Sequence, residues 1–261
     1  MSELIYESTS TIVSVSCQSK TPTITKRLKP TAQTPSAIVR YQREYDLLQS
    51  LVSPYVCRPL SFDPQRYELV FAEEGFRSLR EHCQDDAFSL TTRLEIAIAI
   101  VTALTSIHEE GVIHRDINPA NLVLRRSEDG DYEAKIIDFG LATLATWTQP
   151  GEELLTGTLP YISPEQTGRV NRTVDQRADL YSLGATLFEL FADQPPFTHT
   201  DPLELIHAHI ALPTPSLEDT KSRAPLWLNL IVTKLLHKRP EKRYQSAQAV
   251  LDDLAKGEEQ D

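Results

Sequence analysis

The sequence predicts an α+β protein built as two lobes around a cleft. Three observations predict it. Alternating, strand-like runs interrupted by one amphipathic helix fill the chain to about residue 72, the pattern changes at Gly75, which is the first glycine, and long helical segments follow. The small lobe is expected over about 1–72, a connector over about 72–76, the large lobe over about 77–256 and a polar tail over 257–261.

The elements follow in order. Ile12-Val13-Ser14-Val15-Ser16 alternates as a half-buried strand does, and Thr23-Ile24-Thr25-Lys26-Arg27-Leu28 does so again, with Lys20-Thr21-Pro22 suited to a hairpin turn between them. A helix is predicted from Pro35 to Leu51, capped by Thr34 with Pro35 in its first turn. Ile38, Tyr41, Tyr45, Leu48 and Val52 recur at helical steps and give it one apolar stripe. Ser53-Pro54 ends it, and a strand pair over 57–62 and 67–72 turns at Asp63-Pro64. Beyond Gly75 the pattern is mainly helical. The segment 92–110 has Thr92 and Glu95 at capping-box spacing, and its buried face is expected to be Leu94, Ala97, Ile98, Val101, Leu104 and Ile107. Further helices are expected near 176–192, 202–210, 226–237 and 246–256, the first so rich in Leu and Phe that burial all round is expected.

Composition excludes several classes. The 261 residues carry a formal net charge of −11, which argues against non-specific binding to nucleic acid or an anionic membrane, both of which need a basic face. No run of about eighteen apolar residues is read, so no membrane insertion is expected. Met1-Ser2-Glu3-Leu4-Ile5-Tyr6 lacks the basic and apolar regions of a signal peptide. Cys17, Cys57 and Cys83 show no CxxC spacing, so reduced thiols in a cytoplasmic protein are expected and no cysteine metal site.

Chemistry concentrates in two motifs. His114-Arg115-Asp116-Ile117-Asn118-Pro119-Ala120-Asn121 comes first, and Asp138-Phe139-Gly140 follows it. Asp116 can orient an attacking hydroxyl and accept its proton, while Asn121 and Asp138 offer hard oxygens for magnesium. Phosphoryl transfer from Mg-ATP needs this set.

With these motifs, the chain from about 5 to 254 resembles a eukaryotic-like serine/threonine protein kinase domain. Further stretches carry the resemblance. Ser163-Pro164-Glu165 looks like the element that closes the activation segment, Gly157-Thr158 like the substrate-adjacent pair, and Asp179-Leu180-Tyr181-Ser182-Leu183-Gly184 like the start of the central helix. Arg243 sits where the family keeps an Arg that pairs with the closing Glu, here Glu165. The wording of 114–119, of Tyr161 to Arg169 and of Asp201 to His207 is most similar to the N-terminal kinase domain of large bacterial signalling proteins, in which an ATPase-like region, a GAF sensor and a histidine kinase follow. The resemblance implies a protein-kinase-like fold, ATP and Mg2+ as requirements, a serine/threonine protein substrate of unknown identity, and C-terminal signalling domains as partners.

It also implies residue roles. Lys26 contacts the α/β-phosphates, with Lys29 the competitor if the strand register slips, and Glu44 is its partner unless it is one more exposed helical carboxylate. Val13 covers the adenine, Phe71 lies behind it, and the backbone of Ala72, Glu73, Glu74 and Gly75 bonds it. Asn118 stands where the family usually has Lys against the γ-phosphate; it can donate a hydrogen bond but brings no charge, and Asn118→Lys is expected to raise turnover. The segment Tyr6-Glu7-Ser8-Thr9-Ser10-Thr11-Ile12-Val13, which corresponds to the glycine-rich phosphate loop, has no glycine, so weak ATP affinity or slow turnover is expected. Arg115 suggests control by a phosphate on Thr143, Thr146, Thr148 or Thr156, or by Glu152 and Glu153 as built-in acidic partners. The contrary reading is a pseudokinase that binds ATP or docks partners without transfer, and a small-molecule kinase is the third.

Overall fold

The computed structural model describes residues 2–7, 10–16, 22–85, 88–145, 157–220 and 224–258. The expected turn at Lys20-Thr21, residues Ser8 and Thr9, Cys17, and the end of the tail lie outside them.

The small lobe is a five-stranded antiparallel sheet. In chain order come β1 (Ser2–Glu7), β2 (Thr11–Ser16), β3 (Thr23–Leu28), α1 (Pro35–Ser50), β4 (Pro59–Asp63) and β5 (Glu68–Ala72), and the strands lie in the order β1-β2-β3-β5-β4. Register places Val13 opposite Lys26 and Lys26 opposite Leu69. Residues directly opposite across antiparallel strands share a face, so these three form one row. Leu69 packs with Leu28 and Tyr41 in a small core. The expected β4–β5 turn forms because Asp63 Oδ1 accepts the amides of Gln65 and Arg66 at 2.8 and 3.1 Å.

α1 begins where expected: Thr34 Oγ1 accepts the Ala37 amide at 3.3 Å and Pro35 opens the first turn. It buries Tyr41, Glu44, Leu47 and Leu48. Val52 does not belong to the stripe; it is 79% exposed. The helix stops at Ser50, and Leu51 turns extended at φ −71 and ψ 141. The amides of Val52 and Ser53 then bond the Glu110 carboxylate at 2.7 and 2.6 Å, tying the end of α1 to the large lobe.

The large lobe contains β6 (Arg77–Ser78), α2 (Leu79–Asp85), α3 (Leu90–Glu109), β7 (Val112–Ile113), β8 (Leu122–Arg126), β9 (Tyr132–Ile136), β10 (Thr143–Leu144), α4 (Gln176–Ala192), α5 (Pro202–Ala211), α6 (Leu226–Leu235) and α7 (Ala247–Glu258). The expectation of a mainly helical second half missed its strands: β6, β8 and β9 form one small sheet, and β7 pairs with β10. These strands are only two to five residues long, too short for their alternation to stand out.

α3 corrects three expectations. Ser89, not Thr92, is its cap, with Oγ accepting the Thr92 amide at 3.1 Å, so Glu95 plays no part in a capping box. Burial extends to Ile96, Ile100 and Ala103, while Ile98 is only partly covered. A window of 18 residues within it has a mean hydropathy of 1.5, which makes it long and apolar enough to cross a membrane by composition, although no such run was expected. The fold accounts for this composition: α3 packs against α4, α7 and β9 in the main core. α4 is buried nearly all round, as expected. A Cβ at Gly184 would stand 2.7 Å from Leu235 Cβ, so only glycine lets α4 approach the end of α6 this closely. Phe71 packs against both the small-lobe and large-lobe cores.

Candidate active site

Lys26 is where the lobes meet chemically. Its Nζ donates to Glu44 Oε1 and Oε2 at 2.6 and 2.8 Å and to Asp138 Oδ1 at 3.0 Å. The β3 register directs Lys26, not Lys29, toward α1; the Lys29 amide bonds the Ser10 carbonyl. Glu44 faces inward because α1 packs on the turn Phe139–Leu141. Burial by itself lowers the affinity of the Lys26 ammonium for its proton, but Asp138 and Glu44 outweigh it and hold the pKa above the ordinary lysine range. Burial pushes the Glu44 carboxyl up, and Lys26 opposes it. Asp138 is pulled down, chiefly by Lys26.

Asp116 is held from three sides. Its Oδ1 accepts the Thr158 backbone amide at 2.8 Å, its Oδ2 accepts Asn121 Nδ2 at 2.9 Å, and its carbonyl accepts the side-chain Nδ2 groups of Asn118 and Asn121 at 3.0 and 2.9 Å. Burial raises its pKa, opposed by the Thr158 bonds and reinforced by nearby Asp138. The Ile137 amide donates to the Asn121 carbonyl at 3.0 Å, which sets the Asp138 strand end beside this loop. Thus Asp116, Asn121, Asp138, Lys26 and Glu44 form one connected cluster.

Asn118 is tied to both Asp116 and Thr158. It is 2% exposed, donates from Nδ2 to the Asp116 carbonyl and to Thr158 Oγ1 at 3.2 Å, and accepts the Ala120 amide at 2.9 Å. It thereby braces Asp116 within the loop against Thr158, forty residues further along the chain.

Several supports were not assigned as such from sequence. Asp179, fully buried in the first turn of α4, accepts the amides of His114 and Arg115 at 2.8 and 2.7 Å and lies 2.9 Å from His108 Nε2. An acidic residue opening an otherwise apolar helix was the available signal, since a buried carboxylate demands partners. Arg115 has φ 66 and Asp138 φ 63, left-handed values rare for such residues and held here by their neighbours. Gln166 Nε2 donates to the Arg115 carbonyl at 2.6 Å. Gly157, at φ 110, passes so close that a Cβ would meet that carbonyl at 3.1 Å.

Val13 shares the face of Lys26, as its register requires. Phe71 lies opposite Ile24, and Ala72 ends β5 opposite Thr23. Of the connector amides expected to face a base, that of Glu73 donates to the Pro22 carbonyl at 3.0 Å. Glu74 joins the connector to the large lobe: its carboxylate pairs with Lys135 and its carbonyl accepts Arg125 Nη1 at 2.8 Å. The closing element is in place, with Glu165 bonded to Arg243 at 2.6 and 2.9 Å. Thr143 lies in β10; Thr146, Thr148, Thr156, Glu152 and Glu153 lie outside the described residues.

The donor set suits magnesium. Among the described residues no group of three or more His, Cys, Asp or Glu gathers as an all-protein metal site. Magnesium is ordinarily held by one or two side-chain oxygens together with substrate phosphates and water. Asp138 supplies a carboxylate, and because Asn121 Nδ2 is bonded to Asp116, its Oδ1 is the end offered to a cation.

A family model described as "Protein kinase domain" matches residues 8–254. The chain is 50% identical over 99 residues to a hybrid signal transduction histidine kinase G of Dictyostelium discoideum, covering 38% of this chain and 3% of that protein. It is 32% identical over 235 residues to a probable serine/threonine-protein kinase of Streptomyces coelicolor, covering 85% of this chain and 34% of the other. It is 34% identical over 219 residues to serine/threonine-protein kinase PknF of Mycobacterium tuberculosis, covering 79% and 44%. The chain therefore spans less than half the length of these relatives.

Proposed function

The chain belongs to the protein kinase domain family, and on that premise we propose that it transfers the γ-phosphate of Mg-ATP to serine or threonine hydroxyls of a protein substrate in bacterial signal transduction. The observation that carries this is the three-way contact of Lys26 with Glu44 and Asp138 beside the Asp116–Asn121 pair. A non-catalytic module has no chemical need to assemble all five.

In this reading Asp116 Oδ2 and Oδ1, oriented by Asn121 and Thr158, line up the acceptor hydroxyl and take its proton. Lys26 places a fixed positive charge on the phosphates, and Glu44 holds it there. Asp138 and Asn121 are the residues that would hold magnesium, which when bound neutralises phosphate charge. Asn118 keeps Asp116 at its distance from Thr158. Catalysis by this set is positioning and charge stabilisation. Turnover is slow, because no glycine stands in the loop from Tyr6 to Val13 to let backbone amides close on phosphate. The protein works in the cytoplasm, alongside signalling domains of the kind named in its hybrid histidine kinase relative.

The test is label transfer from γ-labelled ATP with magnesium, beside Asp116→Asn. Label on the protein or on a generic Ser/Thr substrate, lost in the variant, is expected. ATP binding without transfer by the unaltered protein overturns the enzyme reading in favour of a regulatory module.

A further inference from the structure

Glu110 closes α3, and its place there is unfavourable for that helix, because a carboxylate meets the negative end of the helix dipole. The carboxylate serves another segment. Past Ser50 the chain leaves α1, Leu51 is extended, and the amides of Val52 and Ser53 fall outside the helical ladder. Glu110 Oε2 accepts the first at 2.7 Å and Oε1 the second at 2.6 Å. Val52 lies at the surface, but Ser53 is only 5% exposed, so its amide needs a partner. Ser53 Oγ also meets Ser106 Oγ, one turn back on α3, at 2.9 Å. The attachment continues along the chain. The Tyr55 carbonyl accepts the Ile136 amide at 2.8 Å, and buried Val56 pairs with Ile136, two residues before Asp138.

These bonds reach the catalytic cluster through α1. Leu47, Leu48 and Leu51 sink that end of the helix into the main core, but apolar packing is non-directional and sets neither tilt nor roll closely. Two charge-assisted bonds from one carboxylate do set the direction in which the chain leaves the helix. Glu44 lies six residues before Ser50, about 9 Å along the axis at 1.5 Å per residue. A tilt of about 10° at that end carries Glu44 roughly 1.6 Å, more than its contacts with Lys26 Nζ at 2.6 and 2.8 Å tolerate. Resting on the phosphoryl-transfer reading above, we propose that Glu110 is a positioning residue: it clamps the exit of α1 to the large lobe and so keeps Glu44 on Lys26.

The test is limited acylation of the purified chain by acetic anhydride, read by peptide mass spectrometry, with steady-state kinetics beside it. Freed from Glu44, the Lys26 amine is neutral more of the time, so its labelling in Glu110→Ala is expected to speed up by about threefold or more. Lys238, held by the Tyr181 hydroxyl and the Ala208 carbonyl in the large lobe, reacts as before. kcat/KM for ATP is expected to fall about fivefold, the effect of losing one hydrogen bond of ordinary strength. In a Glu44→Gln background the same change lowers it by about twofold or less, because its effect passes through Glu44. Glu109→Ala, at an exposed neighbour on α3, changes none of these. Glu110→Gln, which keeps an acceptor oxygen, repeats the comparison if Glu110→Ala lacks a cooperative melt. Unchanged labelling of Lys26, faster labelling of Lys26 and Lys238 together, or an undiminished loss on top of Glu44→Gln overturns the clamp. Labelling does not depend on turnover, so it still decides the clamp if the unaltered protein transfers no phosphate and the kinase reading falls.

Discussion

Glu165 and Arg243 meet in a two-point ion pair at 2.6 and 2.9 Å, and neither side chain reaches solvent. Arg243 also donates to the carbonyls of His237 and Arg177, both at 2.7 Å, so its donors are well satisfied. Removing one partner of such a buried pair strands the other charge. Arg243→Met is expected to cost roughly 3–5 kcal/mol of stability, and Glu165→Leu/Arg243→Met to cost less than the single change. Urea unfolding of both variants checks this; a double variant weaker than Arg243→Met contradicts it.

Glu44→Gln separates charge from shape. The amide keeps the size of the side chain but loses the anion that fixes Lys26 Nζ. If Lys26 steadies phosphates as proposed, kcat/KM for ATP falls by about 10- to 100-fold, the effect of about 1.5–3 kcal/mol for a charged hydrogen bond. Steady-state kinetics of the two proteins measures it, and a loss under twofold removes Glu44 from the mechanism.

Asn118→Ala breaks the brace between the Asp116 carbonyl and Thr158 Oγ1. Turnover is expected to drop about tenfold, in line with the loss of a buried hydrogen bond or two, with little change in KM for ATP. A rise in KM with unchanged kcat would instead mark Asn118 as a binding residue. The bonds of Asn118 also revise the expectation for Asn118→Lys: the added charge comes with the loss of this brace, so turnover falls.

The pH dependence follows from Asp116. A general base acts ionised, and burial raises the Asp116 pKa while the Thr158 bonds lower it. The acidic limb of kcat/KM should therefore lie above the usual Asp value of about 3.9. Thr158→Ala keeps the backbone bond to Asp116 but removes the hydroxyl, whose own hydrogen bond favours the carboxylate, so the limb moves to higher pH. A profile that stays put in the variant shows that another group sets the limb.

His209 makes stability acid-sensitive. It is fully buried, with Nδ1 3.0 Å from the Tyr181 hydroxyl, and burial lowers its pKa to about 3. Above its unfolded value of about 6.5 it is neutral in both states and costs nothing. Below that, the unfolded chain takes up a proton that the folded one refuses. Stability is then lost at up to about 1.4 kcal/mol per pH unit as the pH falls from 6.5 toward 3. His209→Gln should flatten that portion of a denaturation series, and an unchanged slope assigns the loss to carboxylates.

Much of this protein was legible in its residues. Capping at Thr34, alternation in β2 and β3, and the all-round apolar content of α4 are local properties, and short-range sterics and solvation suffice to specify them. The cluster of Asp116, Asn121 and Asp138 was legible for another reason, since its residue types and order match a chemistry with few solutions. Less local features were missed. The two-residue strands β6, β7 and β10 exist only through pairing with distant segments, and Ser89 replaced Thr92 as a cap because the chain enters α3 one turn earlier.

Only the tertiary structure decided which atoms each side chain serves. Sequence placed Lys26 and Lys29 as competitors, and the pairing of β3 with β2 and β5 chose Lys26 by pointing alternate residues at α1. Sequence set Asn118 in the catalytic loop, and packing against Thr158 turned it inward. Asp179 gained its place under the loop from the burial of α4. The physical reason is common to all three. A hydrogen bond or ion pair depends on positions set to a fraction of an ångström by segments far apart in the chain, whereas residue type and local spacing determine only what each group is able to do.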